Sequence, residues 1–132
     1  MSDPLEAYGA RLADSPVGPM VATISWGDRP EGEPFPALVL MVVSPGRRYD
    51  HDGFDGLQSP RVQADIWAES FAETRRIGDA YIAAIEQAAL RDGVQFGAGF
   101  VDSDIDIPPI SGSGRDSIYR RSIDMLLTWE VL

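Results

Sequence analysis

Among its 132 residues the chain has no cysteine, no lysine and no asparagine, and it has one histidine. Without cysteine it can form neither a disulfide nor a thiolate metal site, and it fits a reducing compartment. With one histidine, the common zinc sets and the usual nucleophile–base arrangements are incomplete. No apolar run approaches the ~20 residues a membrane span needs. The N-terminus shows no basic–apolar–small-residue leader, so no membrane partner is expected. All eleven cations are arginine; the missing lysine and asparagine are most simply a mark of GC-rich coding. A formal charge of −10 argues against a phosphate-binding patch, which needs clustered cations. Arg47-Arg48 and Arg120-Arg121 both sit among aspartates, which disfavours sequence-specific nucleic-acid recognition.

What remains is an ordinary globular composition, 44% apolar with three tryptophans, of a length that fits one domain with a real core. Asp3-Pro4-Leu5-Glu6 opens a short helix running to about Ala13, with the acid as cap and proline at the first position. Residues 20–26 and the apolar run 37–43 read as strands, separated by a Pro- and Gly-rich loop at 27–35. Residues 47–60 read as a polar loop. Residues 61–68 alternate: Val62, Ala64, Ile66 and Ala68 face one way, and Arg61, Gln63, Asp65 and Trp67 the other. Ser70 and Glu73 form a capping box that starts an amphipathic helix expected to run to Arg91, with Gly93 as its stop. Residues 94–101 read as a glycine-weakened strand and 102–116 as a long acidic connection. A final strand spans 117–132, with Arg121 and Leu126 each breaking its alternation. The order predicts an α+β domain. Its single, mostly antiparallel sheet of about five strands would carry one long helix on one face, beside the short N-terminal helix. The sheet's second face, with Arg61, Gln63, Asp65, Trp67, Arg120, Asp124 and Glu130, must be solvated or meet a partner.

None of the reactive patterns is complete. His51 in Asp50-His51-Asp52-x-x-Asp55 reads as a polar turn; the alternative is a small acidic ligand- or metal-binding domain built on that loop. Asp102-x-Asp104-x-Asp106 resembles half a calcium loop but lacks its glycine and its closing glutamate. Ser111-Gly112-Ser113-Gly114-Arg115 lacks the ending of a phosphate loop. The chain is therefore expected to be no enzyme and to hold no cofactor or metal.

The run Arg61-Val62-Gln63-x-Asp65-Ile66-Trp67-Ala68 with its acidic–aromatic–alanine helix start resembles the tail-completion, or tail-terminator, proteins of long-tailed bacteriophages and related particles. His51-Asp52-Gly53-Phe54-Asp55-Gly56-Leu57 resembles the family's preceding loop, and Ile118-Tyr119-Arg120-Arg121-Ser122-Ile123-Asp124 its last strand. The resemblance runs from about residue 49 to the end. It implies a structural protein of the virion tail or neck, assembled in the bacterial host cytoplasm. Such a protein forms a homo-oligomeric ring, expected as a hexamer, between the tail tube protein and the head–tail connector. A head-closure or other neck component is the near alternative. DNA would pass through the lumen without specific binding, since a carboxylate-lined ring repels phosphate. Candidate interface residues are Trp67 with Arg61 and Asp65 on the second face, and Asp102, Asp104, Asp106, Pro108, Pro109, Ile110 and Arg115 along the acidic connection. Aromatics are enriched in interface cores, and a long connection can order on assembly.

Overall fold

A computed structural model describes residues 3–28, 32, 34–109 and 118–132. The expected α+β class is present, but the strands form two five-stranded sheets where one was expected. The first contains, from edge to edge, β1 (Thr23–Trp26), β2 (Ala37–Ser44), β5 (Arg61–Ala68), β9 (Tyr119–Leu126) and β8 (Phe100–Ile107). The second contains β3 (Arg47–Asp50), β4 (Gly53–Gln58), β10 (Trp129–Val131), β7 (Val94–Phe96) and β6 (Ala89–Arg91). Only β1 and β2 run parallel among the described pairs. Helix α1 (Pro4–Ala13) and helix α2 (Phe71–Ile85) complete the fold.

The second sheet was missed for identifiable reasons. The stretch 47–60 is a hairpin, β3 and β4, and its polarity reflects the exposed strand β3 and the exposed turn that follows it. Helix α2 ends at Ile85, about two turns before Arg91. Asp92 and Gly93 both take positive φ, 50° and 77°, and turn β6 into β7. An Asp-Gly pair between short apolar runs is a strong hairpin signal, and here it outweighs a helix stop. The acidic segment continues β8 as far as Ile107, because an edge strand tolerates charged side chains that a central one would not. The closing strand breaks at Leu127-Thr128 and continues in the other sheet as β10. Residues 94–101 likewise split, with Gly97-Ala98-Gly99 carrying the chain from β7 to β8.

Four passages between the sheets therefore form a stitched corner: β2 to β3, β4 to β5, β7 to β8 and β9 to β10. Their backbones bond one another. Ser59 N donates to Gly46 O (2.9 Å), Leu127 N to Pro60 O (3.0 Å), and Gly97 N to Thr128 O (3.0 Å). Gly46 has φ +61°, and a Cβ there would strike the Ser59 carbonyl, so this passage needs glycine.

One core joins both sheets and both helices. Helix α2 lays Ile77, Tyr81 and Ile85 on β5 and β9, against Ala64, Ile66, Ile123 and Met125. Its cap is the expected one, with the Ser70 hydroxyl accepting from Glu73 N (3.2 Å). The Glu73 carboxylate, however, meets the Ser70 hydroxyl (3.2 Å) rather than the cap amide. Helix α1 sets Tyr8 among Trp26, Phe96 and Trp129, at ring separations of 5.8–6.1 Å. The Tyr8 and Tyr81 hydroxyls share a buried hydrogen bond (2.6 Å) that joins the two helices. Burial raises the pKa of both phenols, so the pair stays neutral.

Gly78 in α2 faces the Arg121 guanidinium, which a Cβ at that position would overlap. Alanine is the better helix former by about 1 kcal/mol, whereas forced overpacking costs about 1–3 kcal/mol. Gly78→Ala should therefore lower stability by up to about 2 kcal/mol in urea denaturation. A gain in stability would show that Arg121 can yield.

Candidate interface site

Strand β5 alternates as expected: Val62, Ala64, Ile66 and Ala68 are buried, while Arg61, Gln63, Asp65 and Trp67 lie on the open face away from α2. Strand register places four rows across that face. They are Phe100–Leu126–Arg61–Ser44, Ser103–Asp124–Gln63–Met41, Ile105–Ser122–Asp65–Val39 and Ile107–Arg120–Trp67–Ala37. The centre is a ladder of paired charges. Arg61 donates to Asp102 (2.6 Å from Nη1) and lies 3.6 Å from Asp124. Arg120 donates to Asp65 (2.5 Å), which also accepts from Gln63 Nε2 (3.1 Å). The Arg120 guanidinium stacks over Trp67 at 4.7 Å, so Trp67 is a half-buried platform for Arg120.

Large apolar side chains border this ladder. Phe100 is 66% exposed, Ile105 54%, Met41 46% and Leu126 42%. Their positions were only partly visible in the sequence. Leu126 stood out as an apolar residue on a polar face; Phe100, Ile105 and Met41 gave no such signal, because the strands carrying them were assigned differently or read as buried.

The acidic run divides between the two faces. A register shift between Val101 and Ser103 leaves Asp102 on the open side with Arg61. Asp104 and Asp106 fall opposite Ile123 and Arg121, on the helix side. There the Arg121 side chain is 1% exposed and makes four hydrogen bonds. Nε and Nη2 donate to the two Asp104 oxygens (2.8 and 2.7 Å), and Nη1 donates to Arg75 O (2.9 Å) and Asp79 (3.0 Å). Arg75 in turn meets Asp106 at 3.3 Å. Arg121, an anomaly in the alternation, is thus the pin between sheet, edge and helix. Its hydrogen bonds hold the Asp104 carboxyl below the usual carboxylate range, against the upward push of partial burial. The same bonds raise the Arg121 pKa.

Pro108 and Pro109 end β8, with Pro108 exposed. Ile110 and Arg115 lie outside the described residues, as does the whole Gly-Ser stretch between them. His51 is exposed in the β3–β4 turn, where Asp50 accepts from Asp52 N (2.8 Å). Among the described residues, no three His, Cys, Asp or Glu side chains are grouped to hold a metal ion. A shallow groove at the corner is lined by Pro4, Leu5, Val42, Pro45, Gln58 and Trp129, none of them an acid, a base or a nucleophile. No described helix is long and apolar enough to cross a membrane.

No protein-family model and no curated protein sequence matches the chain. Solved structures do. The fold is similar to a chain of the virion of a native gene transfer agent particle, with a TM-score of 0.64, over 96% of this chain and 94% of that one, at 14% identity. A second solved chain aligns at a TM-score of 0.54 over 99% of this chain and 97% of its own length, at 12% identity. At these identities the likeness establishes the fold.

Asp104 contributes stability that is fully present above the ordinary carboxylate value of about 4 and is lost as pH falls through its depressed value. Asp104→Asn should therefore cost about 1–3 kcal/mol at neutral pH. In denaturant melts at a series of pH values, its deficit against the unaltered chain should shrink toward acid pH. A deficit independent of pH would mean that charge on Asp104 is not what secures Arg121.

Proposed function

We propose that this chain is a structural component of a phage-like particle, and specifically a tail terminator. It caps the tail tube as a homo-oligomeric ring and forms part of the head–tail joint. The observation that carries the reading is the end-to-end likeness to a chain of a gene transfer agent virion. The sequence resemblance of residues 61–68 and 118–124 to tail-terminator proteins supports it independently.

The geometry fits association. The open face combines a rigid, ion-paired centre with half-exposed Met41, Phe100, Ile105 and Leu126. Aromatic and aliphatic anchors supply most of the affinity in protein interfaces, and a polar surround supplies register. Identical copies joined by a heterologous contact close into a ring when the rotation per copy closes. A ring of chains each at −10 is strongly acidic. Wherever its carboxylates face the lumen, they repel DNA over about 8 Å at physiological salt, so DNA slides through without adhering. Its partners on this reading are its own copies, the tail tube protein and the head–tail connector. The work of the chain is contact rather than turnover, and no cofactor is needed.

The test combines purified protein with elongating tail tubes and measures tube length by electron microscopy. The unaltered chain should arrest growth and appear as a ring at one tube end. Phe100→Glu with Leu126→Glu should keep its thermal melt yet bind tubes at least tenfold more weakly. Binding to connectors but not to tubes would reassign the chain to head closure. Failure to bind either, with a divalent ion captured through His51 instead, would overturn the assembly reading.

A further inference from the structure

The chain has no cysteine, so its four methionines carry all of its sulfur. Peroxides convert an accessible thioether to a sulfoxide. The described methionines differ widely in access. Met125 on β9 is fully buried in the core under α2. Met20 is half-buried and packs against that core. Met41 on β2 is 46% exposed. Met1 lies outside the described residues.

Met41 also holds a particular place. Register sets it opposite Gln63 on the open face, in the row Ser103–Asp124–Gln63–Met41. Gln63 gives its amide to Asp65 (3.1 Å), and Asp65 accepts from Arg120. Met41 is thus an apolar side chain at the rim of the paired charges. Unbranched and polarisable, methionine moulds itself to irregular partner surfaces. Oxidation makes it a polar, chiral group with an acceptor oxygen. Burying that oxygen in an apolar contact without a donor is unfavourable. Opposite side chains on paired strands start about 5 Å apart, so the oxygen can also compete with Asp65 for the Gln63 amide and loosen the ladder.

We propose that Met41 is a modification site: hydrogen peroxide oxidises its thioether in the free chain, and the sulfoxide bars the open face from its partner. The sulfur lone pair attacks one peroxide oxygen and the O–O bond breaks. The departing hydroxide takes the proton from the transferred oxygen and leaves as water. Sulfur gives up two electrons and the peroxide gains them. A dithiol reverses the step enzymatically, becoming a disulfide as water and the thioether are released. The inference rests on reading the open face as the assembly surface. It makes oxidation and assembly mutually exclusive, because a sulfur covered by a partner is shielded.

The test exposes the purified chain to hydrogen peroxide and follows each methionine by peptide mass spectrometry. Met41 should oxidise roughly tenfold faster than Met20 or Met125, and the thermal melt should persist. The oxidised chain should bind tail tubes roughly tenfold more weakly, and methionine sulfoxide reductase with dithiothreitol should restore binding. In Met41→Leu, whatever its own affinity, peroxide should cause no further loss, which assigns the effect to this sulfur. In tube-bound chains Met41 should resist peroxide. Oxidation of Met20 or Met125 as fast as Met41, or an equal peroxide loss in Met41→Leu, would overturn the proposal. Complete oxidation of Met41 with undiminished binding, or equal rates in free and bound chains, would overturn it and leave the terminator reading to another surface. An unaltered chain that neither binds tubes nor forms rings removes that reading and this inference with it.

Discussion

The fold turns on one buried guanidinium. Arg121 sits almost without exposure between the first sheet and α2, and its four hydrogen bonds reach β8 through Asp104 and α2 through Arg75 O and Asp79. A buried charge is tolerated only when it is paired and hydrogen-bonded. The bonds therefore bind the edge strand, its inner neighbour and the covering helix into one unit. Gly78 opens the space that makes this possible. The consequence reaches the other side of the sheet. Because Arg121 faces inward, Arg120 must face outward, where it stacks on Trp67 and pairs with Asp65. A one-residue slip of β9 would exchange the two arginines and bring the apolar side chains Ile123 and Met125 to the open face. The pin on the helix side is what makes the outer ladder reproducible.

A second constraint comes from the corner. Four chain passages join the sheets there, and their backbone bonds leave no room for either sheet to move alone. Tyr8, Phe96 and Trp129 fill the space behind the corner with edge-to-face contacts. Arg11 ties α1 to the end of α2 through Ala84 O (2.7 Å) and Gln87 O. The edge strands of the two sheets are thus held at fixed positions relative to one another. Fixed edges are what a closed assembly requires, since a ring tolerates little variation in the angle between its contacts.

The strongly periodic parts of the sequence were the legible ones. The alternation of residues 61–68, the Asp3 cap, the Ser70 hydroxyl cap on Glu73 N and the first helix stand as read. The second sheet was illegible for a common reason: its strands are three to six residues long. Periodicity cannot separate such runs from loops, and turn chemistry must do so. Asp92-Gly93 carried that signal, and it was assigned to the helix end. At the site, Arg61, Asp65 and Trp67 were placed on the correct face. The three aspartates of β8 were treated as one group, although alternation and a bulge split them between faces. A bulge has no reliable mark in a single sequence. Arg121 and Leu126 did break the pattern visibly, and each break marks something: an internal pin and an outward apolar anchor.

The energetics explain why such a surface can wait for its partners. Exposed ion pairs like those of Arg61 and Arg75 contribute about 0–1 kcal/mol each, so the ladder adds specificity more than affinity. Burying a large apolar side chain fully is worth about 1.5–3 kcal/mol, and Met41, Phe100, Ile105 and Leu126 are already about half covered. Their combined gain is then only several kcal/mol, while association itself costs at least about 4 kcal/mol. One contact between two copies is therefore weak. In the proposed ring every copy would be held by two neighbours at once, and a tube end would add a third surface that orients them. The last copy joins by an effectively intramolecular step and gains two contacts for one loss of free motion. On the ring reading proposed above, marginal pairwise affinity together with rigid edges would make assembly conditional on the template.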